Sequence, residues 1–157
     1  MAIEINQSSR IARLQFADEW RSTWQEGELA VFGEEVADIW EKSIIDPESL
    51  SLAESRRLDA YLAFQLTIAR RVLDLEQDGF LESGAAEAHM ENYLPFFFDT
   101  VYAKTWWDIE GRTWGDELVT IADPIVRETP LNLSVDRLQK IKQEAASKIA
   151  DEQQKSP

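Results

Sequence analysis

The stretch SLAESRRLDAYLAFQLTIARRVLDLEQDG, Ser51 to Gly79, decides the fold. Ser51 and Glu54 stand three apart ahead of an apolar run, which is a capping box: each side chain accepts a hydrogen bond from the other's free backbone N–H. No breaker follows until Asp78-Gly79, and glycine commonly sits just past a helix end. Between Ala60 and Leu75 the apolar residues include Tyr61, Leu62, Phe64, Leu66, Ile68, Val72 and Leu73, while Thr67, Arg71, Asp74 and Asp78 leave a narrow polar strip. A helix that is apolar on most of its circumference needs neighbours on several sides, so this one is predicted to be central.

The neighbours can be read outward from it. Upstream, Phe32, Val36, Trp40 and Ile44 recur every four residues, and Asp46-Pro47 should end that helix because the residue before proline is pushed out of the helical region. Farther upstream, a helix is predicted from Ser8-Ser9 to Gly27, with Phe16, Trp20 and Trp24 on one stripe. Downstream, a fourth helix should begin near Ser83 and carry Met90, Tyr93 and Leu94, until Pro95 removes a backbone donor and kinks or ends it. Phe96, Phe97, Phe98, Tyr102, Trp106, Trp107 and Trp114 make residues 93–114 the aromatic centre of the chain. Trp114, Leu118, Ile121, Ala122 and Ile125 give a fifth helix, with Asp123-Pro124 placed to shorten or bend it.

Thr129-Pro130 breaks the chain, and a last helix is expected from Ser134 with a thin stripe of Val135, Leu138, Ile141, Ala145 and Ile149. Residues from Asp151 onward should fray. The predicted fold is all-α: a bundle of about five helices around residues 51–78, with a peripheral C-terminal helix. Residues 1–128 read as an acidic helical domain and 129–157 as a linker with a C-terminal helix and tail.

Composition narrows the function. The 157 residues include only 6 Gly and 5 Pro, too little turn punctuation for a fold of short strands. The absence of cysteine excludes disulfides, thiolate metal sites and a cysteine nucleophile. Residues 1–128 hold 26 acidic and 11 basic side chains, net −15, whereas 129–157 hold 4 and 5. Such a field repels nucleic acids and anionic membranes and suits a basic protein partner. There is no apolar run of membrane-spanning length and no secretory leader pattern, so no membrane insertion and a cytoplasmic location are expected.

Catalytic signals are sparse. His89 is the single histidine, so a helical di-iron site and a histidine zinc site both lack ligands. It lies among Glu87, Glu91 and Asn92, a setting that predicts an exposed polar face. The six glycines form no phosphate-binding loop, and no cofactor or metal is expected. Were the chain an enzyme, Glu87, His89, Glu91 and Asp108 would be the first places to look. Arg70 and Asp74, four apart, read as an ion pair at the core's edge, with an anion pocket as the alternative.

What remains is the surplus of large rings, which serve both cores and interface hot spots. The residues singled out for partner binding are Phe97, Tyr102, Trp106, Trp107 and Trp114 in the aromatic region, and Leu138 and Ile141 on the last helix. The reading is a non-enzymatic protein-interaction or regulatory domain, with a homo-oligomer possible. The alternative is an acidic inhibitor that imitates nucleic acid in a basic cleft, of the kind phages carry. Trp40, the run Asp46-Pro47-Glu48-Ser49-Leu50-Ser51, Arg56-Arg57, Gln77-Asp78-Gly79-Phe80-Leu81 and Trp106-Trp107 follow in an order that resembles a set of uncharacterised bacterial all-helical proteins of unknown function. Members often carry a membrane helix before this region, which this sequence does not show. The resemblance implies a helical fold and brings no catalytic residues.

Overall fold

The computed structural model describes residues 34–155. These residues form six helices and, among them, no strand. The helices are α1 (Glu34–Ile45), α2 (Leu52–Gln77), α3 (Ala85–Tyr93), α4 (Val101–Glu110), α5 (Asp116–Glu128) and α6 (Leu133–Lys155). The helix predicted between Ser8 and Gly27, and Phe32 with it, lies outside the described residues.

Helix α2 forms where its caps dictate. Ser51 Oγ accepts the Glu54 N–H, and Glu54 Oε2 accepts the Ser51 N–H at 2.7 Å. At the other end Gly79, at φ +74°, lets the Phe80 N–H return to the Leu75 carbonyl and the Gly79 N–H to that of Glu76, the paired bonds of a Schellman turn. The helix packs against α1, α3 and α5 and is the hub of the bundle. Leu58, Leu62, Leu66 and Ala69 are fully buried along it. Each of those leucines contributes roughly 1.5–3 kcal/mol by leaving water.

Around this hub, Ala86, Met90 and Leu94, then Phe98 and Ala103, then Leu118, Ala122 and Val126 complete one core. Helix α1 stops at Ile45 as its Asp-Pro boundary requires. Pro95 ends α3, converting the chain to a single 3-10 turn over Leu94–Phe96. Helix α4, hidden in the sequence among its rings, is an element of its own, capped by Thr100 Oγ1, which accepts the Ala103 N–H at 3.0 Å. Pro124 does not shorten α5, which runs through it to Glu128. Pro124 is exposed, and the carbonyl it leaves without a helical partner is that of Thr120, itself an exposed residue. Helix α6 extends to Lys155.

Candidate docking surface

The last helix is set on the body by charges from elsewhere in the chain. Lys104, on α4, donates from Nζ to the carbonyls of Val126, at 2.7 Å, Arg127 and Thr129, covering the negative end of α5. Asp99, five residues earlier, accepts the Ser134 N–H on Oδ2 at 2.5 Å and so caps the positive end of α6. Its backbone carbonyl takes the Asn132 N–H at 2.7 Å, holding a corner in which Asn132 sits at φ +63°. Asparagine tolerates that left-handed conformation better than most residues. One stretch, 99–104, thus places a carboxylate on the N-terminus of one helix and an ammonium on the C-terminus of the other. Burial pulls the Lys104 ammonium below its ordinary pKa, and the Asp99 charge acts in the opposite direction.

The same device recurs at α3. Glu76 of α2 accepts the N–H groups of Gly84 at 2.8 Å and Ala86 at 2.7 Å. Those bonds, the Ala86 one first, hold its carboxyl below the usual range. Part of the acidic surplus therefore serves as tertiary caps. Local sequence offers little sign of this: Asp99 stands beside Thr100, which takes the nearby cap of α4 and leaves the aspartate for a helix 35 residues on.

Beyond its first turns α6 leaves the core. Every residue from Asp136 to Gln153 is exposed, including Leu138 at 62%, Ile141 at 51% and Ile149 at 57%. With Ala145 these form a stripe at helical spacing, flanked by Arg137, Glu144 and Lys148 on one side and by Lys142 on the other. The stripe continues into an apolar groove of about 360 Å³ on the body, lined by Val36, Trp40, Tyr61, Phe96, Phe97 and Leu138, with Arg137 at its edge. The Arg137 guanidinium lies 4.9 Å from the centre of the Phe96 ring. Tyr61 meets Trp40 and Phe97 edge-on, at 5.5 and 5.9 Å, so edge-to-face ring contacts line the groove.

Two of the rings singled out in the sequence belong instead to the core. Trp106 is 8% exposed, with its indole N–H on Asp59 at 2.9 Å. Trp107 is 3% exposed, with its N–H on Asp123 at 3.0 Å. Burial with a satisfied N–H leaves neither indole a face for a partner. Tyr102 and Trp114 are half-buried against the core cluster, and Phe97 lines the groove. Leu138 and Ile141 are on the open stripe.

His89 is also not on an exposed polar face. Its ring is half-buried and stacks on Tyr93 at 5.1 Å, and burial lowers its pKa below the ordinary imidazole value. The neighbouring Glu87 and Glu91 do point to solvent. Asp108 belongs to a separate polar cleft of about 490 Å³ between α4 and α5. There Arg127 bridges Asp123 at 2.8 Å and Asp108 at 3.3 Å, and this guanidinium, then the Trp107 N–H, hold the Asp123 carboxyl below its usual range. Arg70 pairs with Asp74 at 2.8 Å, the ion pair read from the sequence. Among the described residues no group of three or more His, Asp or Glu is placed to hold a metal ion, and no helix is long and apolar enough to cross a membrane. Comparison with family models, curated proteins and solved structures finds no match.

Proposed function

We propose that the chain is a non-enzymatic protein-interaction domain whose α6 helix lays Leu138, Ile141, Ala145 and Ile149 into an apolar groove of a partner protein. The observation that carries this reading is a 23-residue helix whose apolar stripe stands in water over most of its length. Such a helix spans about 35 Å. A helix that buries so little of its apolar face is marginal by itself, so covering the stripe stabilises it. Anchors recurring at three- and four-residue spacing are the pattern of helix-in-groove recognition. Arg137, Lys142 and Lys148, the basic residues that flank the stripe, suit a partner groove edged with carboxylates.

The test places a photo-crosslinking residue at Ala145 in the full chain and exposes it to host-type lysate at low and high salt. A discrete adduct that survives high salt and disappears in the Ile141→Asp/Ile149→Asp variant supports the reading. The alternative, a surface that imitates nucleic acid in a basic cleft, rests on the net charge of −15 over residues 1–128. It predicts capture that vanishes with salt and is indifferent to Ile141 and Ile149. That result, or crosslinking only to a second copy of the chain, would overturn the α6 proposal.

A further inference from the structure

We infer that the polar cleft between α4 and α5 binds a small zwitterion of the class of the free α-amino acids. The cleft has a volume of about 490 Å³, within the range of about 300–1,000 Å³ usual for small-ligand sites. Its α5 wall is a single helical face, because Asp116, Thr120, Asp123 and Arg127 recur at three- and four-residue spacing. Trp107 and Asp108 of α4, with Arg112 of the 3-10 turn after it, form the other wall.

Three carboxylates and two guanidiniums line this space, and they are unequally engaged. Arg127 is committed inside the cleft, to Asp123 at 2.8 Å and Asp108 at 3.3 Å. Arg112 and Asp116 are different: among the described residues neither side chain has an ion pair or a hydrogen bond. Arg112 still acts on the cleft, since its charge, after Arg127 and the Trp107 N–H, helps hold the Asp123 carboxyl below the usual range. Arg112 and Asp116 do not pair with each other either, so the two charges lie apart in one cavity. A third group is a backbone oxygen. Pro124 leaves the Thr120 carbonyl without its helical N–H, and both residues line the cleft. The Thr120 hydroxyl is engaged elsewhere, donating to the Asp116 carbonyl at 2.7 Å.

An available guanidinium, an available carboxylate and an open carbonyl are the complement of one kind of molecule. Its ammonium donates to Asp116 and to the Thr120 carbonyl, and its carboxylate accepts the paired N–H groups of Arg112. An anion alone would leave Asp116 and the carbonyl unmatched, and an amine alone would leave Arg112 so. Three carboxylates against two guanidiniums give the cleft a net −1, which disfavours an acidic ligand and accepts a neutral or basic one. Val119 and Pro124 offer apolar contact to the ligand's side chain. This inference is separate from the partner proposed for α6, shares no residue with that surface, and is tested without a partner.

The test titrates the full, isotope-labelled chain with a panel of neutral, basic and acidic free L-amino acids. The Trp107 indole N–H and the Arg112 Nε–H are followed by NMR. At least one neutral or basic member should shift both signals to saturation. Its carboxamide and its N-acetyl derivative each lose one charge-assisted partner and should bind roughly 10-fold or more weakly. Arg112→Gln, read at Trp107, should weaken the amino acid by a similar factor and abolish the discrimination against its carboxamide. Asp116→Asn should abolish the discrimination against the N-acetyl form instead. Both residues are exposed, so both variants keep their fold, which the dispersion of the spectrum checks. No saturating shift with any member up to about 10 mM overturns the inference. Equal affinity for an amino acid and its two derivatives, or affinity unchanged in Arg112→Gln, does so too.

Discussion

Replacing Asp99 by alanine should loosen the last helix while leaving the body folded. The carboxylate sits at the N-terminus of α6, where Oδ2 takes the Ser134 N–H at 2.5 Å. Losing an N-cap costs about 1 kcal/mol, and losing a favourable charge at a helix end about another 1 kcal/mol. One effect reduces that sum. Asp99 is completely buried, and its Oδ1 has no hydrogen-bond partner among the described residues, so removing the charge relieves part of its desolvation. Lys104 keeps its three carbonyl partners at the end of α5 but loses the Asp99 charge that favours its ammonium form. The net expectation is about 1–2 kcal/mol, confined to the corner and α6. Native-state hydrogen exchange reads this directly: protection at Ser134 to Leu138 should fall roughly 5- to 30-fold, with Leu62 and Leu66 in α2 unchanged. Asp99→Asn keeps an accepting oxygen without the charge and should lose about half as much. Unchanged protection at Ser134, or equal loss throughout α2 and α6, would refute the assignment of Asp99 as a remote cap.

Three further outcomes follow from particular contacts. A Cβ at Gly111 would lie 2.7 Å from the Trp107 ring, which is fixed by its Asp123 hydrogen bond and by Phe98 edge-on at 5.9 Å. Gly111→Ala should therefore destabilise by about 1–3 kcal/mol in urea titration, despite alanine's better helix propensity. Because burial depresses the His89 pKa below 6.5, the unfolded chain binds its proton first. The His89 contribution is complete above pH 6.5 and declines as pH falls through that value toward the folded pKa, and proton NMR of the single imidazole should titrate below 6.5. Glu54 is held down to about 2 by its bond to the Ser51 N–H, then by the Ser51 hydroxyl and Lys42. Its contribution is present above pH 4.5 and lost as pH falls toward 2, so Glu54→Gln should flatten the acid-stability profile in that interval.

A tertiary capping role for acids changes how the charge of this chain is read. Asp59, Glu76, Asp99 and Asp123 each accept a bond from a donor distant in sequence: a tryptophan N–H for Asp59 and Asp123, a backbone N–H for Glu76 and Asp99. Those donors give the four carboxylates a structural use that needs no partner. The exposed carboxylates left after these four are the ones available to a basic partner.

The sequence by itself determined the helices whose signals are local. The Ser51/Glu54 box, the glycine stop at Gly79 and the Asp46-Pro47 boundary each act through backbone geometry within a few residues, and each appears where the residues place it. The breadth of apolar surface on 52–77 likewise identified the hub, because a helix apolar on most sides has nowhere else to be. Tertiary structure alone decided which rings are core. Trp106 and Trp107 went inside because Asp59, 47 residues upstream, and Asp123, 16 residues downstream, offered acceptors for their indoles. It also decided that Pro124 could remain in a helix, that His89 would lie against Tyr93, and that Asp99 would cap a helix far along the chain. Each of these depends on a partner brought close by folding, and sequence spacing carries no trace of a contact that exists only once the chain has closed on itself.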